Sequence, residues 1–335
     1  MIQIPGNGKL LTVGIPVHHA MPYLRESLES ILRQSYEDFS ILVIVDGPHT
    51  DGTLEYLHTI RDARLRLVEQ QHCGLTFTLN RMLRECRTPW LVRQDADDLA
   101  TPERLARMVE AIHRHSDAGM FYSSAAYYPP GKSVGLYRCT RGTPEEIRAV
   151  TRSGYVPAIC HPSAVLNVQK TLSLGGYRPG IQCEDADLWW RMALAFDIHF
   201  VPEVLLLFRQ TPGSLTSRNL HQQALHGLYV QYLLLSQLQS RMPEKLADIE
   251  NVLLQMIDDS ALSAKRHLRS FNIHMAEQRT VRAIQALAAS LIASPRYFAG
   301  RVRDELFPAR LVANGVAPRQ FQRRRAKLWP SNASV

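Results

Sequence analysis

Asp95-Ala96-Asp97-Asp98 sets three carboxylates within four residues. Packed carboxylates repel one another, and a divalent cation relieves that repulsion. Oxygen ligands of this hardness suit Mn²⁺ or Mg²⁺ rather than zinc. Such an ion would bridge to a diphosphate and absorb charge as the phosphate departs. Taken alone, the tetrapeptide also reads as a turn before a helix, with Asp98 or Thr101 as a cap. A second acidic group, Glu184-Asp185, precedes the helically spaced Leu188, Trp189, Met192 and Phe196. There Asp185 would face the positive end of the helix, which favours the carboxylate form that a general base needs. The plainer alternative is that both acids only stabilise the first turn.

These groups need elements to hold them. Residues 10–17 (LLTVGIPV) form an apolar run typical of a strand buried on both faces, and Pro16 should end it because proline cannot donate to a ladder. Leu24, Leu28, Ile31 and Leu32 repeat at helical spacing, residues 41–45 read as a second strand, and Asp46-Gly47-Pro48 as a turn. A helix over 53–60, a strand over 65–68, a helix over 75–83 and a strand over 90–92 follow. The alternation predicts a doubly wound, mostly parallel α/β sheet flanked by helices. Ligands of such sheets bind beyond the carboxyl ends of the strands, where Pro16-Val17-His18-His19, Asp46-Gly47 and 95–98 converge. Thr101 should cap a helix that opens with Pro102 and carries an inward stripe of Leu105, Met108, Val109 and Ile112. His113 and His115 lie two apart, share no helix face and read as surface residues. Strands and turns are expected over 121–136 and a short capped helix over 143–150. From His221 onward helical patterns dominate (Leu225, Leu228, Tyr232, Leu235, Leu238; then Ala283, Leu287, Leu291).

Val13-Gly14-Ile15-Pro16-Val17, Val43-Ile44-Val45-Asp46-Gly47 and Val92-Arg93-Gln94-Asp95-Ala96-Asp97-Asp98 together resemble the family 2 glycosyltransferases. So, in the expected order, do Gly74-Leu75-Thr76-Phe77-Thr78-Leu79-Asn80-Arg81, His161-Pro162-Ser163, Gly175-Gly176-Tyr177 and Glu184-Asp185-Ala186-Asp187-Leu188-Trp189-Trp190-Arg191. The resemblance covers residues 10 to about 215 and implies a GT-A fold with a C-terminal helical extension. It also implies nucleotide-sugar contacts from Pro16, Val17, Asp46, Arg81, Asp95 and Ala96, metal ligation by Asp97 with Asp98 as a second candidate, and Asp185 as catalytic base. Asp46 resembles the acid that hydrogen-bonds the base, often uracil, although its alignment to the family's acidic pair differs by one when counted from either side. His18-His19 departs from the family's usual Tyr-Asn. His161 is either a donor contact or a structural histidine, and Trp189 and Trp190 either sugar platforms or core. Arg209, Ser214 and Arg218 fall in a segment readable as a lid or as a linker.

The 335 residues are 45% hydrophobic and 21% charged, an ordinary globular composition. Five cysteines without a CxxC pair argue against a zinc or disulfide framework and suit a reducing compartment. The N-terminus lacks a signal-peptide pattern, and 204–208 is too short an apolar run to span a bilayer. The net charge is +8, and 301–335 holds eight basic residues against two acidic ones. That tail suits an anionic membrane surface or merely a solvated end; no aromatic-studded platform points to nucleic acid. We therefore expect a nucleotide-sugar-binding half over 1–110, an acceptor and catalytic half over 111–218 and a basic helical extension over 219–335. The expected activity is inverting transfer from a nucleoside-diphosphate sugar, UDP-sugar favoured, to an acceptor hydroxyl in polysaccharide, lipopolysaccharide or glycolipid assembly. The expected location is cytoplasmic, with the inner face of the plasma membrane as a peripheral docking surface beside a glycan or lipid-linked acceptor. The alternatives are a non-catalytic nucleotide-sugar-binding or scaffold protein of the same fold, and a sugar nucleotidyltransferase. The latter is disfavoured because no glycine-rich phosphate loop follows the first strand.

Overall fold

A computed structural model describes residues 8–48, 50–128, 135–210, 220–306 and 313–328. In chain order the first half contains β1 (Leu11–Val17), α1 (Tyr23–Leu32), β2 (Phe39–Asp46), α2 (Thr53–Thr59), β3 (Leu65–Gln70), α3 (Leu75–Glu85), β4 (Trp90–Arg93), β5 (Leu99–Ala100) and α4 (Arg104–Arg114). The second half adds β6 (Met120–Tyr128), α5 (Pro144–Arg152), β7 (Val156–Pro157), β8 (Ala164–Asn167), α6 (Val168–Ser173), α7 (Glu184–Ala195) and β9 (Ile198–Arg209). Helices at Leu220–Leu238, Leu246–Leu254, Asp259–Ala276, Thr280–Ala293, Pro295–Leu306 and Pro318–Leu328 complete the described chain.

Eight strands form one sheet in the order β3-β2-β1-β4-β8-β6-β9-β5. Pairing is parallel from β3 through β4, as the strand–helix alternation predicts. It then turns antiparallel at β4–β8 and β8–β6, parallel at β6–β9, and antiparallel again at β9–β5. The sheet is thus mixed, with its parallel part holding the carboxyl ends expected to converge.

Both faces of the parallel part are covered, which is why its strands read as unbroken apolar runs. Leu11, Val13, Ile15 and Val17 face one core with Leu24 and Leu28 of α1 and Leu105 and Met108 of α4. Leu42 and Ile44 face the other, with Leu79, Met82 and Leu83 of α3 and Trp189 of α7. Gly14 is required where α3 crosses β1, since a Cβ there would stand 2.2 Å from the sulfur of Met82.

Two local expectations are corrected. Pro16 does not end β1: it stays in register with Ile44. Gly14 turns its carbonyl toward β4, accepting from Gln94 at 3.1 Å. Pro16, two residues on, faces the same side, beyond the last β1–β4 pair at Gly14–Arg93, so its missing N–H breaks no ladder bond. Thr101 does not cap α4. Its backbone N–H donates to Leu205 beside the β5–β9 pair, and the helix starts only at Arg104. In Thr280–Ala293 the packed side is formed by the small Ala283, Ala286 and Ser290, and Leu291 is 46% exposed. By contrast, α5 begins with the expected cap: Thr143 and Glu146 form a reciprocal capping box.

Part of the C-terminal region packs on the sheet domain. Leu225, Val230, Leu234, Ile249, Leu253 and Phe321 share a core with Trp190 and Ile181. Among the described residues no helix is long and apolar enough to cross a membrane.

Candidate active site

The acidic turn hangs from the end of β4, whose last residue, Arg93, is fully buried. Its Nη2 donates to Asp95 Oδ1 at 2.5 Å, and its Nε donates to Nε2 of His161 at 3.2 Å. Burial opposes the charge on Arg93, but Asp95, Tyr177 and Glu184 outweigh it and raise the pKa. Arg93 therefore sits as a permanent cation between the turn and the start of α7.

His161 is half-buried. Burial, followed by the charge of Arg93, pushes its pKa well below the ordinary value. A guanidinium only donates, so Nε2 of His161 is the acceptor and the ring proton lies on Nδ1. The hydroxyl of Tyr177 lies 3.0 Å from the same nitrogen, and Trp189 meets the ring edge-on. Trp189 and Trp190 are both core, 1% and 4% exposed, and neither is a sugar platform.

The three carboxylates of the turn differ. Asp95 is half-buried and held by Arg93. Asp97 is also half-buried; burial and then the neighbouring Asp95 push its pKa up to about 6. Asp98 is 1% exposed and points inward, its Oδ1 accepting the backbone N–H of Arg209 at 2.8 Å. Its Oδ2 is buried without a hydrogen-bond partner, and burial with Asp97 and Asp95 nearby drives its pKa well above the usual carboxylate range. Arg209 completes the clasp: its Nε donates to the carbonyl of Asp97, and its Nη2 pairs with Glu26 of α1. Ser214 and Arg218, grouped with Arg209 as lid candidates, lie outside the described residues. Ala96 is half-buried between Asp95 and Asp97.

Below the turn, Gln94 and Arg104 form a buried polar floor. Arg104 donates to Gln94 Oε1 and to the carbonyls of Arg93 and Pro162, while Gln94 Nε2 reaches the carbonyls of Asp95 and Asp98. The sequence pointed to neither residue; the available signal was Gln94 as a polar side chain continuing the apolar run of β4 and Arg104 as a charged residue beside the apolar stripe of α4.

Asp185 lies in the first turn of α7, its Oδ1 accepting from the N–H of Ala186 at 2.7 Å. Its pKa was expected to fall under the helix dipole. Instead burial dominates and lifts it to about 6, with Asp95 adding to the rise and Arg93 opposing it. Glu184 is lifted further, to about 8, by burial and by Asp185. The turn and α7 are linked through Arg93, which bonds both Asp95 and His161, the ring of His161 meeting Trp189 of α7 edge-on. Asn80 braces the approach to α7, exchanging two hydrogen bonds with the backbone of Tyr177 at 2.7 and 2.9 Å.

At the ends of β1 and β2, Pro16 and Val17 are buried and Asp46 is 3% exposed. The Asp46 carboxylate is already engaged by Gln70, by the backbone N–H groups of Cys73 and Gly74, and by His72. Burial works to raise its pKa, but those hydrogen bonds prevail and hold it below the usual value. Asp46 therefore acts first as a strut for the loop after β3. Arg81, in the second turn of α3, joins this group through Gln70 at 3.0 Å.

Comparisons with known proteins bear on the family and the fold. Residues 12–171 match the family described as Glycosyl transferase family 2. The chain carries a family 2 glycosyltransferase domain. Relatives include an uncharacterized glycosyltransferase of Haemophilus influenzae, 28% identical over 60% of this chain and 76% of its own length. The O-antigen biosynthesis glycosyltransferase WbnJ of Escherichia coli is 24% identical over 55% of this chain and 71% of its own. Among solved structures, the mannosyltransferase PcManGT of Pyrobaculum calidifontis, in complex with GDP-Man and Mn²⁺, superposes with a TM-score of 0.53. It is 19% identical, covering 98% of this chain and 90% of its own. S. aureus TarS 1–349 in complex with UDP-GlcNAc also gives 0.53, at 13% identity over 84% of this chain and 91% of its own. The fold of this transferase is accordingly of the GT-A type.

Proposed function

We propose that the protein is an inverting, metal-dependent glycosyltransferase that moves a sugar from a nucleoside diphosphate to an acceptor hydroxyl in cell-surface polysaccharide, lipopolysaccharide or glycolipid assembly. The observation carrying this reading is that Asp95 pairs with the buried Arg93 at 2.5 Å, and that the charges of both are felt by Asp97 in the same turn and by Asp185, 90 residues beyond Asp95 in the chain. In it, Asp185 takes the proton of the acceptor hydroxyl, and a pKa near neutrality suits that task. Asp95 and Ala96, with Pro16, Val17 and Arg81, border the nucleotide, while Asp46 shapes that pocket by holding the Cys73 and Gly74 amides. UDP-sugar is the favoured donor on the family resemblance. TarS was solved with UDP-GlcNAc and PcManGT with GDP-Man, so both bases belong in the test.

The acidic turn fits a hard divalent cation, Mn²⁺ or Mg²⁺. Asp95 raises the pKa of Asp97, and both raise that of Asp98, a crowding of negative charge that a cation would relieve. Asp97 is the ligand, and Asp98, turned inward, supports the turn from behind. When bound, the ion neutralises charge on the leaving diphosphate.

A lipid-linked acceptor would place the enzyme at an anionic membrane surface. In support, Thr280–Ala293 turns large aliphatics outward: Val281, Ile284, Leu291 and Ile292 are 71, 62, 46 and 81% exposed. Exposed Arg279, Arg282 and Arg296 flank them. An apolar ridge edged with arginines suits an interface of anionic lipid and water.

The deciding measurement is nucleoside-diphosphate release from UDP- and GDP-sugars with and without Mn²⁺. Release should require the metal and disappear in Asp97→Ala and Asp185→Ala; undiminished turnover in both would refute the mechanism.

A further inference from the structure

We infer that the carboxyl ends of β1 and β2 carry a separate transition-metal site, formed by His18, Asp46 and His72 and suited to a Zn²⁺-like ion. One ligand atom from each of the three lies within 4.8 Å of the other two, and they are the group of this kind found among the described residues. Two imidazoles and one carboxylate form the donor set that zinc accepts, with water in a fourth position. The acidic turn offers only oxygens, so the two sites differ in the ions they select.

The ligands are held before any ion arrives. Nδ1 of His18 lies 2.7 Å from the backbone carbonyl of Asp46. A carbonyl only accepts, so the ring proton sits on Nδ1 and Nε2 carries the lone pair. Metal-binding histidines are commonly oriented this way. The His72 ring stacks on that of His18, with centroids 4.5 Å apart and planes 27° from parallel. Nδ1 of His72 stands 3.0 Å from Asp46 Oδ2. Adjacent ligands of a tetrahedral zinc are about 3.3 Å apart, given bonds of about 2.0–2.1 Å, so this pair needs little adjustment.

Asp46 is itself fixed by Gln70 and the amides of Cys73 and Gly74, as ligating carboxylates usually are. Gly47 brings the His72 loop in close: a Cβ there would stand 2.8 Å from the Cβ of His72. His18 and His72 are exposed, so an ion reaches them without local unfolding.

The site has a consequence that rests on the function proposed above. These loops border the region assigned to the nucleoside, so ion and donor would exclude one another, and micromolar zinc would inhibit an enzyme that manganese activates.

The test uses the full chain, stripped with chelator and titrated with Co²⁺ while visible ligand-field absorption is followed. One equivalent of a tetrahedral-type spectrum is expected, bleached by Zn²⁺. It should be lost in the His18→Ala/His72→Ala double variant and kept in Asp97→Asn. Both histidines are exposed, and circular dichroism checks that the double variant folds. Absence of the spectrum, its persistence in the double variant, or its loss in Asp97→Asn alone would overturn the site. In a second arm, UDP binding is measured with and without Zn²⁺. Exclusion predicts at least tenfold weaker binding with zinc in the wild type only. Unaffected UDP binding overturns the exclusion. UDP that binds under no condition counts against the donor reading and leaves the Co²⁺ result standing.

Discussion

The backbone N–H of Arg209, at the end of β9, donates to Asp98 Oδ1 across 111 residues of chain. This bond ties the far strand of the sheet to the acidic turn and gives Asp98 a task different from that of Asp97. We predict that Asp98→Ala lowers stability by roughly 1–3 kcal/mol, the cost of orphaning a buried donor. Asp98→Asn keeps an acceptor oxygen and should cost less. Denaturant melts of the two variants check this. The Mn²⁺ concentration for half-maximal activity should rise strongly in Asp97→Asn and little in Asp98→Asn.

Asp185 predicts the pH profile. With its pKa near 6, kcat/KM should fall about tenfold per pH unit below that value and level off above it. The stability effect has the opposite sign. The folded pKa lies above the ordinary 3.8, so the unfolded chain releases this proton first and stability falls as pH rises from about 4 to about 6. Asp185→Asn should therefore be more stable than wild type at pH 7, by up to about 2–3 kcal/mol, while kcat drops by about 10²–10⁴. Urea titrations at pH 4 and 7 read the first effect and initial rates the second.

Arg93 connects the two acidic groups. Arg93→Met leaves Asp95 without its buried counter-ion, a loss that typically costs about 3–5 kcal/mol. It also removes a charge that holds the Asp185 pKa down. Where the variant folds, the acidic limb of its kcat/KM profile should move to higher pH. A profile that keeps its wild-type midpoint would show that Arg93 does not tune the base.

The outward ridge of Thr280–Ala293 predicts binding to anionic vesicles. Each arginine near such a surface contributes about 1 kcal/mol, so Arg282→Ala with Arg296→Ala should weaken co-sedimentation with phosphatidylglycerol vesicles by roughly tenfold or more. Ile284→Asp with Ile292→Asp should act through the apolar part. Neutral vesicles should retain little protein in any case.

Much of this protein was legible in the order of its residues. The unbroken apolar runs of β1, β2 and β4, separated by helically spaced Leu24–Leu28–Ile31 and Leu79–Leu83, required a parallel sheet buried on both faces. A parallel sheet in turn brings the residues after β1, β2 and β4 to one edge, so the convergence of Asp46 and Asp95–Asp97 follows from periodicity. The second half was harder. Strands β8 and β9 hold no alternation or turn signature that separates them from short buried helices, and only tertiary pairing set β8 antiparallel between β4 and β6 and β9 parallel to β6.

What only the tertiary structure decided is how each acid behaves. Asp95, Asp97 and Asp98 are equivalent as letters; Arg93 takes the first, the second stays half-buried with its pKa raised, and Arg209 holds the third inward. Asp185 at a helix start reads as an acid with a lowered pKa, yet burial and Asp95 lift it. Sequence spacing sets which carboxylates reach the edge, because strand and helix periods are local properties. Protonation and ligation depend on water exclusion and on charges brought from distant chain, and those exist only once the chain has folded.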